Sequence, residues 1–537
     1  MQADVTVTGV LTLPAVDAAV QPAPARAGRP LVGLGWGALM GAVVLAVSLV
    51  RNRWAFTERV YEHGDAALNS IWVQNSHHQL LLTGPVSRVG FPHPGPAYLY
   101  VLSGGQALFH DWLPLTASAY GAQFLGDAVL QAVVFGILAH VLYRLTGSAT
   151  ATAAGAGVVF WFAATHQLIG QTWLPNLYIG AFALLLAAAI AVAAGRTAQL
   201  PSLVFASGVL VHGHVAFILF VGLTWLAVTA GWLLAHRSHW SAQLRLARGS
   251  GRLAAGILLL FLAPMVAEVA LHYPGPWPDY LHYQGAPGGQ PLAESLTFFG
   301  HFWTISYSPS VTILAVFAAA TALLLEQDRR RLRVFLTGYL MLLLQTAVFL
   351  YYIQHGIDEL SPVNYYTGWF YQAVPLFLLV LPALHLTVLA EQTRLRAGVL
   401  RSVVGAVAVA LLVAGGLTPS LTEPDQNNPA VPRALAALQA VSDHRGEPIV
   451  LRFERGESSF VAAILAEARR SDVAICLADP FWRKLFTSAS MCRSTSGHWP
   501  VASVNPKDFH GKGSVIWRDA DHVLFAGSVP NLPPSPR

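Results

Sequence analysis

Long apolar segments, separated by short polar connections, dominate the chain from residue 31 to residue 417. A helix needs about 20 largely apolar residues to cross the hydrocarbon core of a bilayer. Eleven segments approach or reach that length, namely 31–50, 117–143, 149–165, 177–195, 200–211, 215–235, 253–271, 311–325, 334–353, 373–390 and 402–417. The fifth is short, which leaves open whether it is tilted, broken or merged with the sixth. The pattern predicts an all-α polytopic membrane bundle of about 11 transmembrane helices.

The arginines predict which helix ends face the cytoplasm. With the N-terminus inside, most arginines of the membrane region fall in the connections 144–148, 196–199, 236–252, 326–333 and 391–401. Cytoplasmic loops carry an excess of Lys and Arg, so this orientation is favoured. Residues before the first span lack the charged start and apolar core of a signal peptide. We therefore expect a disordered cytoplasmic segment 1–30 and a membrane domain 31–418.

The composition agrees with a membrane protein. Hydrophobic residues make up 54% of the chain and charged residues 11%, whereas a soluble domain has roughly 25% charged residues. The arginines behind the net charge of +5 cluster at the ends of apolar spans, so we predict no nucleic-acid partner. The basic residues are almost all Arg, and the three lysines lie in the tail, a preference for Arg that is typical of a high-GC genome. We expect a multi-pass protein of a bacterial inner (plasma) membrane.

The composition changes after residue 418. A linker rich in Pro and Asn is followed by alternating strand-like and helix-like segments, which predict a small extracytoplasmic α/β domain over 419–537. Within it, segment 480–488 is predicted to be a helix that packs through its apolar side chains. Cys476 and Cys492 are the only cysteines. They either close a short disulfide loop or remain two buried thiols, and the sequence leaves this open.

The first outer loop, 51–116, concentrates the residues that could carry chemistry. Glu62, His63 and Asp65 lie together just beyond the first span, and charged groups beside a bilayer are costly and usually functional. Four arginines in the same loop favour an anionic partner. The alternative for Asp65 is structural, because an Asp can cap a helix that starts at Ala66.

Two sequence features resemble a known family. The first is Gly64-Asp65 followed by Gly84-Pro-Val-Ser-Arg-Val-Gly-Phe-Pro-His-Pro-Gly-Pro-Ala-Tyr98, and the second is the turn Val211-His-Gly-His-Val215. With the pattern of spans from 31 to 417, they resemble the GT-C superfamily of membrane glycosyltransferases. The chain is similar to the actinobacterial branch, the arabinofuranosyl- and mannosyltransferases of cell-envelope assembly that use polyprenyl-phosphate sugars.

The resemblance implies sugar transfer from a polyprenyl-phosphate donor to an envelope glycan or lipid acceptor on the outer side of the membrane. Asp65 would then be the catalytic base, and Arg88 would bind the donor phosphate. Additional phosphate ligands would be His93, His212 and His214. The second-rank candidates are Glu62, His63, His166, Glu268, Asp358 and Glu359.

Several alternatives stay open. His212 and His214 could simply be interfacial polar residues. We predict no metal centre built from the histidines, but the position of Asn69, where many relatives carry a second acidic residue, leaves the need for a divalent cation undecided. The rival function is a secondary transporter or lipid flippase. Transporters tend to contain internal repeats with broken helices at the midplane, whereas the polar residues here collect at one face.

Overall fold

The computed structural model describes residues 30–87, 89–166, 168–169, 173–236, 247–283, 285–306, 308–392, 397–416, 427–441, 448–493, 500–506 and 514–526. Its membrane part and outer loop contain these helices in chain order: α1 Pro30–Arg51, α2 Trp54–Thr57, α3 Gly64–Ser76, α4 Ala97–Gln106, α5 Ala119–Thr146, α6 Ala149–Thr165, α7 Leu174–Ala193, α8 Leu200–Gly213, α9 Phe217–His236, α10 Arg248–Leu271, α11 Trp277–His282, α12 Leu292–Ser306, α13 Pro309–Leu325, α14 Arg329–Gly356, α15 Ala373–Gln392 and α16 Ala397–Gly416.

The predicted membrane bundle is confirmed, and each of the eleven predicted spans overlaps a helix. By length and apolarity, however, seven helical segments of the described chain can cross a membrane, or eight if the bent pair α12 and α13 counts as one span. Four predicted spans are not among the seven. Helix α6 has 17 residues, α8 has 14 and α13 has 17, fewer than the roughly 20 needed. Within α16, only Arg401–Leu411 qualifies, as a shorter apolar helix. The number of eleven crossings therefore stays a prediction.

Helix α7 is the centre of the bundle. All its residues from Pro175 to Ala193 are buried, and α5, α8, α9, α14 and α15 pack against it. Its many alanines allow this close packing, which stabilises helix contacts in lipid. Helix α10 is the opposite case, because only Ala254 and Phe261 are buried in it. Its exposed leucines are suited to contact with lipid chains.

The outer loop forms a layer over one end of the bundle. Helix α4 lies against α5 at two glycines, and a Cβ on Gly105 would come within 2.7 Å of the Gly126 Cα. A π-helical turn, Ala107–Trp112, continues α4. It leads into exposed apolar side chains at Trp112, Leu113 and Leu115, a composition that suits the membrane–water interface.

The tail is a small α/β unit, as predicted. Its elements are α17 Val431–Val441, β1 Ile449–Phe453, α18 Ser458–Arg470, β2 Ile475–Leu477, α19 Arg483–Phe486, β3 Val501–Pro506, β4 Ser514–Arg518 and β5 His522–Ala526. The five strands form one sheet in the order β2-β1-β3-β5-β4. Strand β1 is parallel to β2 and β3, whereas β5 is antiparallel to β3 and β4. Cys476 and Cys492 are joined by a disulfide, and we call residues 476–492 the disulfide loop.

The tail packs directly on the first outer loop. Ala67 and Ile71 of α3 belong to the same hydrophobic core as the tail residues Phe460 and Leu465. Glu62, which is 1% exposed, accepts two hydrogen bonds from the Arg470 guanidinium. The outer loop and the tail are therefore one packed unit on the same face of the bundle.

Candidate functional site

A cavity of about 280 Å³ opens where the outer loop, the membrane helices and the tail meet. We call it the outer cavity. Residues of α3 and of the loop after it form one side, and the ends of α7, α9 and α14 form another. Its polar and aromatic lining includes Asp65, Asn69, Trp72, Ser87, His93, Trp173, Tyr178, His214, Tyr283, Tyr352, Asp358 and Tyr366, and Leu485 lines it from the tail.

Helix α3 places Asp65 in this cavity. Residues 65, 68, 69 and 72 all line it, and in a helix this spacing puts four side chains on one face. The opposite face carries Ala67 and Ile71 into the core of the tail. The helix begins at Gly64, and its N-cap position is His63, which makes no side-chain capping bond. Asp65 is thus an exposed first-turn residue of α3 that faces the cavity.

An indole group orients the Asp65 carboxylate. Trp173 Nε1 donates a hydrogen bond to Asp65 Oδ2 at 2.9 Å. Trp173 is the N-cap residue of α7, and its ring packs against Tyr366 at 5.4 Å and Trp369 at 5.1 Å between centroids. A hydrogen bond to a charged group is stronger than one between neutral groups. The carboxylate is therefore held at the cavity wall without being removed from solvent.

Two histidines lie side by side in the wall. The rings of His93 and His214 are 4.6 Å apart between centroids. His214 Nδ1 accepts the Ala216 N–H at 3.1 Å, which leaves Nε2 as the protonated nitrogen. Burial lowers the pKa of His214 to about 4, and burial followed by the neighbouring His214 lowers the pKa of His93 well below its usual value. Both rings are neutral at pH 7.

The His93 ring offers an unused hydrogen-bonding atom. Its Nδ1 is buried without a hydrogen-bond partner among the described residues, although the residue lines the outer cavity. A buried polar atom without a partner is costly. A ligand oxygen or hydroxyl in the cavity could satisfy it.

His212 does not belong to this wall. Its Nδ1 accepts the Ala97 N–H at 3.3 Å, and its Nε2 lies 2.7 Å from the Phe261 carbonyl oxygen, to which it donates. Gly95 lies so close to the ring that a Cβ there would approach it to 2.2 Å. Both ring nitrogens are therefore occupied, and His212 fixes the Pro-rich outer loop to α8 and α10.

The second-rank residues are scattered. Asp358 lines the outer cavity, and Glu359 follows it as an exposed residue. Glu62 pairs with Arg470. The His166 ring stacks on Phe162 at 4.0 Å, and Glu268 accepts a hydrogen bond from His272 at 3.0 Å.

Arg88 lies outside the described residues. Its chain neighbours Ser87 and Val89 both line the outer cavity. In the described part of the chain, no group of three or more His, Cys, Asp or Glu side chains is arranged to hold a metal ion. Asn69 lies on the same face of α3 as Asp65, but its amide carries no negative charge to bind a metal ion.

The sequence reasoning missed several lining residues. Aromatic residues such as Trp173 are common at the interfaces of any membrane protein, so composition does not single out this one. Tyr178 and Tyr352 lie inside apolar spans, where the tyrosine hydroxyl is the only local feature that could indicate a residue of a binding site. Leu485 was assigned to packing within the tail, and no local signal shows that it lines a cavity.

Comparison with known proteins adds evidence on the fold. No family model and no curated protein matches the chain. Among solved structures, the chain is similar to ArnT from Cupriavidus metallidurans in the apo state, with a TM-score of 0.58 and 14% identity over 92% of this chain and 98% of that one. It is also similar to the same protein bound to undecaprenyl phosphate, with a TM-score of 0.56, 14% identity and the same coverage. The chain therefore shares the overall fold of the two ArnT structures over nearly its whole length.

Proposed function

We propose that this protein is a membrane glycosyltransferase that uses a polyprenyl-phosphate sugar as its donor. The observation that carries the proposal is the exposed Asp65 carboxylate in the outer cavity, where the membrane helices meet the tail. The fold shared with ArnT adds support, because a solved ArnT structure contains bound undecaprenyl phosphate. Arabinofuranose or mannose is the proposed sugar, and an envelope glycan or lipid on the outer side of the plasma membrane is the proposed acceptor.

Asp65 acts as the general base in this proposal. It takes the proton of the acceptor hydroxyl as that oxygen bonds to the anomeric carbon of the sugar. The bond between the anomeric carbon and the phosphate oxygen breaks, and polyprenyl phosphate leaves with the electron pair. Trp173 holds the carboxylate in place through its indole N–H, so the base is oriented before the acceptor arrives.

The leaving phosphate needs groups that stabilise negative charge. Arg88 is the proposed ligand, because a guanidinium matches phosphate oxygens with two parallel hydrogen bonds. Its chain neighbours Ser87 and Val89 line the cavity. Neutral His93 and His214 would add hydrogen bonds, and the N-terminus of α7 would add a favourable dipole. His212 would act indirectly, by fixing the outer loop.

The apolar part of the cavity suits a lipid-linked donor. Phe217, Tyr352 and Phe370 line it and belong to the hydrophobic core of the bundle. A polyprenyl chain stays in the hydrocarbon region, so its phosphate would reach Asp65 from this side. Asp358, at another point of the lining, would orient the acceptor or the sugar.

The test uses purified protein in lipid nanodiscs with decaprenyl-phosphoryl arabinofuranose and mannose as donors. Asp65→Asn is expected to lower sugar transfer about 100-fold or more, because a general base contributes roughly 10²–10⁴-fold. Binding of undecaprenyl phosphate should be unchanged. Trp173→Phe, which keeps a ring but removes the N–H, should lower kcat about tenfold, since a hydrogen bond to a charged group contributes about 1.5–3 kcal/mol.

Asp111→Asn is the matched control, because Asp111 is an exposed carboxylate of the same outer loop and lies outside the proposed site. It should transfer sugar at the wild-type rate. Undiminished transfer by the Asp65→Asn protein would exclude Asp65 as the base. If the wild-type protein moved polyprenyl phosphate between leaflets without transferring sugar from either donor, the flippase alternative would replace the proposed function.

A further inference from the structure

The disulfide loop is the part of the tail that reaches the outer cavity. Leu485 lines the cavity, and its carbonyl oxygen accepts a hydrogen bond from Trp72 Nε1 at 3.3 Å. The neighbouring Lys484 Nζ donates to the Gly90 carbonyl oxygen at 3.3 Å. The loop is therefore attached to both outer-loop walls of the cavity, α3 and the segment around residue 90.

Contacts of the neighbouring residues with the core of the tail and with α3 fix the position of Leu485. Phe486 is fully buried in the core of the tail and Trp482 is 6% exposed. Asn75 Nδ2 of α3 donates to Thr487 Oγ1 at 2.7 Å, and Arg469 Nη2 donates to Ser490 Oγ at 2.7 Å. The Cys476–Cys492 disulfide closes the loop at its base. A side chain fixed in this way can define the shape of a binding site.

The cavity has two walls of different origin. Tyr178, Phe217 and Phe370 belong to the core of the membrane bundle, whereas Leu485 packs with the core of the tail. A donor lipid is confined to the bilayer and can enter only past the bundle wall. The acceptor sugar group, whether it belongs to a glycan or to a lipid headgroup, would then approach from the tail side.

From this geometry we infer that Leu485 is the acceptor-side wall of the cavity and a specificity-determining residue. The acceptor hydroxyl reaches Asp65 by passing Leu485, and the size of that side chain limits which acceptors fit. The inference rests on the proposed function and adds to it the route and the size limit of the acceptor.

Thiol labelling tests the two walls without knowledge of the natural acceptor. The two native cysteines form a disulfide, so Leu485→Cys introduces a single free thiol. Tyr352→Cys places one on the bundle wall, and Ala489→Cys places one at an exposed position of the same loop that lies away from the cavity lining. Each protein is treated with a small charged maleimide, with and without undecaprenyl phosphate.

We expect undecaprenyl phosphate to protect position 352 and not position 485. At roughly 100 times its Kd, the lipid would leave about 1% of sites empty and slow labelling at 352 about 100-fold. Labelling at 485 and 489 should change less than about twofold. Equal protection at 352 and 485, or a thiol at 485 that never reacts, would overturn the inference. Protection at neither 352 nor 485 would instead remove the donor site and with it the proposed function.

Substitution by size gives a second, independent readout. The acceptor probes are octyl mannoside and octyl arabinofuranoside. Leu485→Trp should raise the acceptor KM about tenfold, because a change of one or two methylene groups in a pocket alters specificity by about tenfold. Leu485→Ala should admit bulkier alkyl glycosides. The donor KM should stay constant, and Ala489→Trp should behave as wild type. An unchanged acceptor KM, or a changed donor KM, in an active and folded Leu485→Trp protein would refute the assignment.

Discussion

At the scale of single residues, the outer cavity combines the exposed carboxylates of Asp65 and Asp358 with neutral polar groups. Asp65 is open to solvent yet fixed by the Trp173 indole. His93 is buried and His214 is half-buried in the wall of the same cavity, and both carry no charge at pH 7 because burial lowers the pKa of each. Neutral imidazoles can donate or accept hydrogen bonds. The site therefore offers a base and hydrogen-bonding groups without placing two cations next to the donor phosphate.

The buried histidines predict a dependence of stability on pH. A free histidine has a pKa of about 6.5, and the pKa of His214 in the folded protein is about 4. Between these values the unfolded chain binds a proton that the folded chain does not, so stability falls as pH decreases through this window. For His214 alone the loss between pH 7 and pH 5 is roughly 2 kcal/mol.

His214→Asn should reduce this loss. Unfolding followed at both pH values in detergent micelles would measure it, with His77→Asn as a control because His77 is an exposed histidine of the outer loop. The same pH dependence in wild type and His214→Asn would contradict a buried neutral imidazole.

At the scale of elements, α3 links the membrane site to the tail. One face of this helix lines the cavity and the opposite face completes the hydrophobic core of the tail. Glu62, just before α3, pairs with Arg470 at the end of α18, where side-chain exposures are 1% and 19%. Any shift of the tail would therefore move the helix that carries Asp65.

The Glu62–Arg470 ion pair predicts that a single substitution at Glu62 lowers both the stability of the protein and its rate of sugar transfer. Glu62→Gln leaves the half-buried Arg470 guanidinium with only Glu467, at 3.8 Å, as an ion-pair partner, and breaking a buried pair costs up to about 3–5 kcal/mol. We expect a matching loss of unfolding free energy and a lower rate of sugar transfer. The double variant Glu62→Gln/Arg470→Gln removes both charges and should recover part of the stability. If Glu62→Gln unfolds like wild type, the pair does not hold the tail in place.

At the scale of the whole molecule, packing restricts the membrane topology. The tail contacts the outer loop through Glu62 and Arg470, so residues 51 and 427 must be on the same side of the bilayer. The chain then crosses the membrane an even number of times between residues 51 and 427. Since α1 adds one crossing before residue 51, the total number of crossings is odd. Eleven crossings, or the seven long apolar segments taken alone, meet this condition, whereas eight do not.

The topology has a direct test. Since arginine-rich connections favour the cytoplasm, we expect alkaline phosphatase fused after Arg537 to be active, because the enzyme folds only outside the cytoplasm. The same reporter inserted in the connection 326–333, which holds four arginines, should be inactive. The reverse result would place the outer cavity on the cytoplasmic side and refute the proposed outer acceptor.

The helices of the membrane bundle could be predicted from the sequence because the length of an apolar segment is a local property. Each predicted span overlaps a helix, and the strand-like segments of the tail form a sheet. The π-helical turn after α4 and the bend between α12 and α13 were not foreseen. They depend on packing against other elements, which no local pattern records.

For the site, the sequence alone predicted an outer loop with clustered charged residues, because such residues stand out beside apolar spans. The resemblance to the GT-C superfamily added the roles proposed for Asp65, His93 and His214. Which of these residues share a cavity followed only from the packing of the folded chain. His212, two residues before His214, is used up by backbone groups of other helices, and Leu485 comes from more than 400 residues further along the chain than Asp65. Periodicity specifies the face of a helix, but the partner of that face is fixed by packing between segments far apart in sequence.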